Sequence, residues 1–367
     1  MQISSPIDIV YLWVDGNDDG WRAKRQNASD LLSPQGNQTI ARFGNVEGRF
    51  RDNDELRYSL RALTQFFPDH GHIYIVTDGQ VPAWLKPSNR LSLIDHRDLI
   101  PEVSLPTFDS GNIESYIHRI TGLAERYFYC NDDVFFGAPV QVSDWFFEGG
   151  FYVAWSDDPE VVGHAMQTDA TSLENASRLS KEWLKAAAEA QPGAWIQPKR
   201  VHQLDPAYTH TARTFAHSPR PMLKSILMAL EDEAADMFAR VRSTVFRSWD
   251  KPTIVSDFVL RWALAHGIAQ IKDHSHLYVA TGDAQVGPAL EQLKTQFGQL
   301  DFFCINDTTD DAMPDDPRLI QVRHTLQQLL PTPSAYELNG NHQGRNAHHD
   351  SAMPLNSARN TRRHAKG

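Results

Sequence analysis

Short apolar runs, each ending at an aspartate, recur in the N-terminal part of the chain and predict strands of a buried sheet. They cover residues 7–14, 72–77, 91–94 and 126–130. Their β-branched and aromatic side chains are typical of strands, and helical stretches separate them. Alternating strands and helices are the pattern of parallel βαβ units. The predicted fold class is therefore α/β, a Rossmann-like, mostly parallel sheet with flanking helices and a helical insertion.

Helical spacing of apolar residues predicts the helices around this sheet. The first begins after Asp52, which resembles the first residue of a capping box completed by Glu55. In such a box the aspartate accepts the free backbone N–H groups of the first turn. Arg57 and Arg61 lie one turn apart on another face of this helix, where paired arginines are usually solvated but near a crevice could bind phosphate oxygens. Further helices are predicted over residues 113–120 and 254–265.

A long helix is also predicted to begin at the sequence His217-Ser218-Pro219. Ser218 is a good N-cap, and proline fits the first helical position because its missing N–H has no partner there anyway. This prediction puts His217 at the positive end of a helix, where anions bind and a neutral imidazole is favoured. Spacing alone favours the alternative that His217 merely packs near the cap.

The remaining segments predict an insertion and a tail. Residues 155–216 are helical and loop-rich, without a clean repeat, and we interpret them as an insertion or cap that shapes a binding site. Residues 340–367 have almost no apolar content and an excess of arginine, which is typical of disorder. We therefore divide the chain into a catalytic domain over residues 1–335 and a disordered basic tail over residues 336–367.

Aspartates at the predicted strand ends suggest a cation site. They are Asp15, Asp78, Asp95, Asp132 and Asp307. Each alone could be a turn former, and an Asn-Asp-Asp sequence alone could cap the next segment. In open α/β sheets, however, the ligand crevice lies outside the carboxyl ends of the strands. Carboxylates there suit Mg²⁺ or Mn²⁺, which take oxygen ligands together with water and substrate phosphates.

Composition and charge exclude several classes of function. The formal net charge of the 367 residues is −11, whereas a general nucleic-acid binder shows a basic excess. No apolar run is long enough for a transmembrane helix, and the first residues lack the pattern of a signal peptide. Cys130 and Cys304 are too few for a disulfide framework and lie in predicted buried strands. We therefore expect a cytoplasmic enzyme that binds no nucleic acid.

Four blocks of this sequence resemble the conserved blocks of the Stealth family of sugar-1-phosphate transferases. The first is residues 7–18, and the second runs from Arg49 to Gly137 and includes Asn131-Asp132-Asp133. The third is His217-Ser218-Pro219 with Phe246-Arg247 downstream, and the fourth is Cys304-Ile305-Asn306-Asp307. Together they cover roughly half the chain in the family's order. That family includes bacterial capsular polysaccharide phosphotransferases and the catalytic subunit of N-acetylglucosamine-1-phosphotransferase.

The resemblance implies a reaction and its partners. A hexose 1-phosphate or N-acetylhexosamine 1-phosphate would move from a UDP-sugar donor to a hydroxyl of a glycan acceptor. The product would be a phosphodiester, and UMP would be released. Capsule or exopolysaccharide synthesis is the implied setting, with a peripheral position at the cytoplasmic face of the inner membrane as an open alternative. The basic tail could then contact anionic lipid.

The resemblance also implies roles for individual residues. Asp132 and Asp307 would bind the divalent ion, and Asp133 would ligate it too or orient the acceptor. His217 would act as the general base. The substrate-binding residues carried over are Asp15, Gly16, Asp52, Asn53, Arg57, Asn131, Arg178 and Arg247.

Two other functions stay open from the residues. A metal-dependent glycosyltransferase also places a carboxylate pair after a strand, but its acceptor attacks the anomeric carbon and UDP is released. A glycan-binding module without activity would suit the nine tryptophans. Such a module has no need for aspartates around a cation.

Overall fold

A computed structural model describes residues 6–32, 39–189, 205 and 208–338. Its largest sheet has five strands in the order β3-β2-β1-β4-β8. The strands are β1 (Asp8–Leu12), β2 (Ile73–Thr77), β3 (Leu91–Asp95), β4 (Arg126–Asn131) and β8 (Arg220–Leu223). The first four are parallel, and β8 pairs antiparallel with β4. The α/β, mostly parallel fold predicted from the sequence is therefore confirmed.

The strand order creates a crevice between β1 and β4. After β1 the chain builds the sheet outward through β2 and β3, and it then returns to place β4 on the other side of β1. This is a topological switch point, where the connections at the carboxyl ends of the two strands diverge. β1, β2 and the centre of β4 are buried throughout, so the sheet is covered on both faces.

Ten α-helices flank the sheets within the described residues. They are α1 (Asp19–Asp30), α2 (Glu55–Phe66), α3 (His96–Leu99), α4 (Ser110–Glu114), α5 (Ser172–Glu189), α6 (Lys224–Glu233), α7 (Ala235–Arg242), α8 (Val259–Ala265), α9 (Val286–Gln296) and α10 (Pro317–Leu329). A π-helix, Ile254–Phe258, runs directly into α8, and short 3₁₀ helices cover Glu47–Phe50, Glu102–Ser104, Ile117–Arg119 and Val142–Asp144. None of these helices is both long and apolar enough to cross a membrane.

Two three-stranded sheets complete the fold. One has the order β10-β11-β5 and the other β6-β7-β9. Their strands are β5 (Val134–Phe136), β6 (Phe146–Phe147), β7 (Gly150–Val153), β9 (Ala269–Ile271), β10 (His276–Ala280) and β11 (Phe302–Asn306). β11, which precedes Asp307, was expected beside the other Asp-bearing strands, but it pairs with β5 and β10 instead.

The predicted helix after His217 is wrong at its start. Residues Arg220–Leu223 form β8 on the edge of the main sheet, and the helix begins only at Lys224. Pro221 is tolerated there because an edge strand needs no N–H from every residue. The edge of β4 is available for pairing, so tertiary contact overrides the local N-cap signal. His217 therefore does not lie at a helix N-terminus.

Two other local predictions need correction. α2 begins at Glu55 after Asp54, which has a left-handed φ of 70° and makes no side-chain cap bond. Asp52 accepts from the Asp54 backbone N–H instead, so the capping box is not formed. The helix predicted over residues 113–120 is split into α4 and a 3₁₀ turn.

The boundary between domain and tail also moves. Tyr336 and Glu337 are buried, so the folded part extends beyond the predicted residue 335. The Lys86 N–H donates to the Tyr336 carbonyl at 2.8 Å, and the Leu338 N–H donates to Trp84 at 2.9 Å. Of the predicted insertion, α5 confirms the helical character, while residues 190–204 lie outside the described part. The predicted disorder of residues 340–367 also lies outside it.

Candidate active site

A cavity of about 620 Å³ opens at the carboxyl ends of β1 and β4. The turn Asp132-Asp133 between β4 and β5 forms its floor, and two neighbours hold this turn. The Ile305 N–H donates to the Asp133 carbonyl at 3.0 Å, and the Ser59 hydroxyl of α2 donates to the Val134 carbonyl at 2.7 Å. The predicted crevice is therefore confirmed in position, and its walls come from segments far apart in sequence.

One wall of the cavity is acidic. Burial raises the pKa of Asp132 well above its usual value, and the neighbouring charges of Asp133 and Asp52 raise it further. Burial also raises the pKa of Asp52 to about 7, with Asp54 adding to the effect. The buried Oδ1 atom of Asp133 has no hydrogen-bond partner in the structure. These carboxylates repel one another, and within the described residues no lysine or arginine forms an ion pair with them, which is the electrostatic signature of a site for positive charge.

His217 lies between this wall and the rest of the cavity. Its segment is held by the Ala216 N–H, which donates to the Ala154 carbonyl at 3.0 Å, and by stacking of Phe215 on Trp155. Its Nε2 is 3.7 Å from Asp133 Oδ1. Burial lowers the pKa of His217, the nearby Asp133 raises it, and three arginines lower it further. The imidazole is therefore neutral near pH 7 and able to accept a proton.

A continuous chain of hydrogen bonds runs through His217. The Asn131 amide donates to His217 Nε2 at 2.5 Å, and His217 Nδ1 lies 3.4 Å from Cys304 Sγ. The Cys304 thiol in turn donates to Asp133 Oδ2 at 3.4 Å. Because Nε2 accepts from an amide, the ring proton belongs on Nδ1. The neighbours of His217 thus select the tautomer whose lone pair is on Nε2.

The other end of this chain is a buried carboxyl group. The Tyr129 hydroxyl lies 2.8 Å from Glu114 Oε1 and 2.6 Å from Asn131 Oδ1. A hydroxyl donates one hydrogen, so both contacts are satisfied when Glu114 is protonated and donates to Tyr129. Burial raises the pKa of Glu114, which favours that neutral form. Glu114 and Tyr129 therefore orient Asn131 toward His217.

Arginines form the opposite wall. Arg220 is 3% exposed, and among the described residues none makes a hydrogen bond or ion pair with its guanidinium. Arg49 donates to the Ser110 hydroxyl at 3.1 Å but leaves its buried Nε without a partner. Burial and the neighbouring Arg247 lower the pKa of Arg49 to about 9. Arg247 also lines the cavity but pairs with Asp109 at 3.4 Å, so its charge is partly compensated. Guanidinium groups without an ion-pair partner in a cavity are suited to phosphate, which they bind through two parallel N–H donors.

The structure places several of the predicted site residues in or beside this cavity. Asn131, Asp132, Asp133, His217, Arg247 and Asp307 line it. Asp52 adjoins Asp132 electrostatically. The Asp15 backbone exchanges hydrogen bonds with the Gln80 side chain at 2.9 Å in each direction. A Cβ on Gly16 would lie 2.0 Å from the Phe50 carbonyl oxygen, so this glycine allows the close approach of two loops.

Three of the predicted roles do not fit the structure. Arg57 donates to Glu337 at 2.6 Å outside the cavity, so it is not placed to bind phosphate. Arg178 is buried in α5, where it donates to the Val162 carbonyl at 2.7 Å and supports that loop. Asp307 pairs with Arg51 and accepts from the Thr309 hydroxyl at 2.6 Å, so its charge is already compensated.

Asn53 has a structural position. It is buried, and its amide donates to Glu55 at 2.9 Å and to Asp307 at 3.4 Å. It therefore joins α2 to the end of β11 beneath the acidic wall. The prediction that it binds substrate stays a prediction, since its described polar contacts are to protein groups.

Several residues of the site escaped the sequence analysis. They are Arg49, Arg220, Cys304 and Glu114. Arg49 and Cys304 stand inside recognised blocks, so their position next to the aspartates and His217 was a usable signal. Arg220 was assigned to a helix, where it would have been an ordinary surface cation. Glu114 also lies inside the second block, but no other acidic or basic residue stands next to it in the sequence to single it out.

Asp133, His217 and Cys304 also form a geometric metal-binding group. One ligand atom from each lies within 4.8 Å of the others. A thiol and an imidazole suit softer ions such as zinc, whereas magnesium prefers oxygen ligands. The carboxylates Asp132 and Asp133, with Asp52 adjacent, are the oxygen-only set, and the unpartnered Asp133 Oδ1 fits a cation there.

Comparison with known proteins gives three family matches and similar relatives. The chain matches three conserved regions of the Stealth protein family: region 1 over residues 5–33, region 2 over residues 49–153 and region 4 over residues 298–348. An exopolysaccharide phosphotransferase of Streptomyces coelicolor is 31% identical over 340 residues, covering 91% of this chain and 33% of the relative. The exopolysaccharide phosphotransferase CpsY of Mycobacterium tuberculosis is 31% identical over 334 residues, covering 90% of this chain and 58% of the relative.

The chain thus spans between a third and three fifths of the length of these relatives. Among solved structures, a galactosyltransferase, LgtC, is similar with a TM-score of 0.39 and 10% identity. That similarity covers 90% of this chain and 98% of the solved one.

Proposed function

Because the chain belongs to the Stealth family, we propose that it transfers a hexose 1-phosphate or N-acetylhexosamine 1-phosphate from a UDP-sugar to a glycan hydroxyl. The product is a phosphodiester, and UMP is released. The names of the two relatives support exopolysaccharide synthesis as the setting. The observation that carries the proposal is a single cavity with arginines on one wall, carboxylates on the other and a neutral histidine between them.

The reaction takes place at phosphorus. The acceptor oxygen forms a bond to the β-phosphorus of the donor, and the bond from that phosphorus to the bridging oxygen breaks. UMP leaves with the electron pair, and the acceptor proton passes to the enzyme. Phosphoryl transfer of this kind needs positioning, neutralisation of phosphate charge and a proton acceptor.

His217 accepts the proton at Nε2. The contact of Nδ1 with Cys304 and the bond from Asn131 keep the lone pair on Nε2. The acceptor hydroxyl reaches this nitrogen from the cavity and takes the place of the Asn131 amide. Asp133, 3.7 Å from Nε2, then stabilises the imidazolium that forms. Asp133 thus acts through charge, in addition to the predicted role of ligating the ion or orienting the acceptor.

The arginines bind the donor diphosphate. Arg220 is the strongest candidate because it is buried with no partner of its own, so phosphate would replace a missing interaction. Arg49 and Arg247 share the Ser110 hydroxyl and hold the same side of the cavity. The mutual repulsion of these guanidinium groups is relieved when an anion binds between them.

Asp132 and Asp133 would hold Mg²⁺ or Mn²⁺, with Asp52 nearby. When bound, the ion would draw negative charge from the diphosphate and so stabilise the leaving UMP. Asp307 does not belong to this set because Arg51 already compensates its charge. The predicted pair of Asp132 and Asp307 is therefore replaced by the adjacent pair Asp132 and Asp133.

The experiment that tests the reaction class is the identification of its products. The purified chain is incubated with Mn²⁺, a panel of UDP-sugars and oligosaccharide acceptors, and the products are followed by phosphorus NMR and nucleotide chromatography. UMP should accumulate together with a phosphodiester signal. Stoichiometric UDP with a phosphate-free product would instead establish a glycosyltransferase, which is the alternative the sequence left open.

A further inference from the structure

Tyr278 is an aromatic side chain left exposed at the mouth of the cavity. It lies on β10, the edge strand of its sheet, and 47% of its surface is exposed. It lines the cavity, and its ring centre is 6.4 Å from that of His217, with the two rings tilted by 33°. About half of the tyrosine surface stays in water beside the half-buried imidazole, so packing against the fold leaves part of its apolar face open to a ligand.

Carboxylates surround this tyrosine. Asp157 and Asp158 line the same cavity, and Asp157 is 85% exposed while its carboxylate lies 3.4 Å from His276 Nε2. Their segment is anchored, because the Ser156 N–H donates to the Thr214 carbonyl at 2.9 Å. Both side chains are exposed and are presented from a fixed backbone, and Asp158 Oδ2 also accepts from the Thr214 hydroxyl at 3.3 Å.

The charges near Tyr278 differ from those near His217. The acidic groups Asp133, Asp158 and Asp283 all act on the Tyr278 hydroxyl. On the His217 ring, by contrast, three arginines act together with Asp133. Tyr278 therefore lies on the acidic side of His217, where a diphosphate would be repelled. A ligand on this side should carry no phosphate and should offer hydroxyl donors.

We propose that Tyr278, Asp157 and Asp158 form the binding subsite for the acceptor glycan, with a pyranose ring stacked on the tyrosine. The apolar C–H face of a sugar ring matches the face of an aromatic ring, and its hydroxyls are donors for carboxylates. A ring on Tyr278 places one hydroxyl beside His217 Nε2. That the bound sugar is the acceptor rests on the proposed function, whereas the binding of a sugar to Tyr278 does not.

Kinetics separates this role from donor binding. Tyr278→Ala should raise KM for the acceptor about tenfold, which corresponds to about 1.4 kcal/mol, and leave KM for the UDP-sugar unchanged. Tyr278→Phe should behave as the wild type because the ring, not the hydroxyl, makes the contact. Ile320→Ala, which removes a side chain of similar exposure on α10, should change neither constant. A rise in KM for the UDP-sugar alone would show that Tyr278 stacks the uracil base, and it would overturn the proposal.

Direct binding tests the subsite without any turnover. Saturation-transfer NMR is recorded on the full chain with methyl α-glucoside, methyl β-galactoside and methyl α-mannoside, and no UDP-sugar is added. At least one glycoside should receive saturation from the wild type, less from Asp157→Asn and Asp158→Asn, and none from Tyr278→Ala. Equal transfer to wild type and Tyr278→Ala, or no transfer to the wild type from any glycoside, would overturn the proposal. Because phosphorus chemistry is not involved, this result stands even if the chain proves to be a glycosyltransferase.

Discussion

Burial, and not a helix terminus, lowers the pKa of His217. The sequence placed this residue before a helix, whereas the structure places it before an edge strand next to Asp133 and Cys304. Removing an imidazole from water disfavours its charged form, so the pKa of the ring lies below its usual 6.5. Burial also disfavours the charged form of Asp52 and Asp132, and for these carboxyl groups it raises the pKa. Burial in one cavity thus favours both a neutral base and carboxylates that ionise less readily.

The first prediction at this scale concerns His217. His217→Ala should lower kcat by about 10²–10⁴-fold, the usual contribution of a general base, while KM for the UDP-sugar stays within a few fold. Because its pKa is lowered, the acidic limb of the kcat profile should lie below pH 6.5 in the wild type and vanish in the variant. Steady-state kinetics from pH 5 to 8 measures both. Turnover kept at the wild-type level would remove His217 from the chemistry, and His324→Ala on the exposed face of α10 is the matched control.

The second prediction contrasts two arginines. Arg220→Gln should raise KM for the UDP-sugar at least tenfold because the variant loses a charge-assisted contact to phosphate in a buried site. Arg57→Gln, an equal change at the arginine first predicted to bind phosphate, should leave that KM unchanged because its partner is Glu337. Isothermal titration with UDP gives the same comparison without turnover. The opposite ranking would restore the original assignment.

The third prediction contrasts two aspartates. Asp132→Asn should abolish activity yet raise the melting temperature without metal. The folded pKa of Asp132 is raised, so ionising it costs free energy of folding at pH 7, and asparagine avoids that cost. Asp307→Asn should lower the melting temperature because Arg51 loses its partner. Differential scanning fluorimetry with EDTA and with Mn²⁺ checks this, since Mn²⁺ should stabilise the wild type and not Asp132→Asn. Activity that survives EDTA would contradict the metal assignment.

At the scale of elements, a short C-terminal segment holds α2 in place. Arg61 donates to Glu337 at 2.7 and 2.8 Å, and Arg57 donates to it as well, so both pairs join residues far apart in sequence. α2 in turn supports the catalytic turn through Ser59. A segment that composition assigned to the tail is thus part of the scaffold of the site. The charge on Glu337 is stabilised by two arginines, although the residue itself is buried.

The fourth prediction is the pH dependence of this contact. The arginines lower the pKa of Glu337 from its usual 4.5 to about 2, despite the opposing effect of burial. The unfolded chain therefore takes up the proton first as pH falls, and about 3 kcal/mol of stability present above pH 4.5 is lost progressively below it. Glu337→Gln should be less stable than the wild type by about that amount at pH 7, and the difference should shrink toward pH 3.

Urea unfolding at each pH measures the difference. The matched control is Glu291→Gln, whose carboxylate pairs with Lys294 on the surface at 66% exposure and should change stability by less than about 1 kcal/mol. If the free energy of unfolding of Glu337→Gln differs from that of the wild type by the same amount at pH 7 and at pH 3, packing and not charge accounts for the role of Glu337.

At the scale of the whole molecule, the cavity brings together two of the three sheets, the five-stranded one and the sheet of β10 and β11. β1 and β4 supply its floor, β10 and β11 one side, and the segment before β8 another. Opposite charges on the two walls keep it from being a simple cation or anion site. A divalent ion bound at the carboxylates should raise the affinity of the arginines for a diphosphate, and a bound diphosphate should raise the affinity of the carboxylates for the ion, because the two ligands attract each other.

The fifth prediction follows from this arrangement. Mn²⁺ and UDP should bind with positive coupling, each raising the affinity for the other by the same factor because coupling free energy is reciprocal. A factor of about ten corresponds to about 1.4 kcal/mol. Titrating UDP with and without Mn²⁺, and Mn²⁺ with and without UDP, measures it twice. Independent binding of the two ligands would show that they occupy separate sites, and Asp132→Asn should abolish the coupling.

Patterns along the chain were enough to predict the parallel strands and the position of the crevice. Apolar runs that end at aspartates predict buried parallel strands, and parallel strands bring their carboxyl ends to one edge. The same reasoning placed Asp132 and Asp133 at the site, and the resemblance added His217 and Arg247. These conclusions depend only on residues that are neighbours along the chain, so they can be drawn before the fold is known.

Which charges are compensated could be read only from the folded chain. Asp307 looks equivalent to Asp132 in sequence, yet Arg51 neutralises one while the other is left among like charges. Arg57 forms an ion pair with Glu337, which is 280 residues away in the sequence. Arg220 lies in the cavity because residues 220–223 pair with the edge of β4. Charge pairing and burial are properties of neighbours in space. Whether an arginine binds a ligand or stabilises the fold therefore depends on contacts in space, and a local sequence pattern does not contain these contacts.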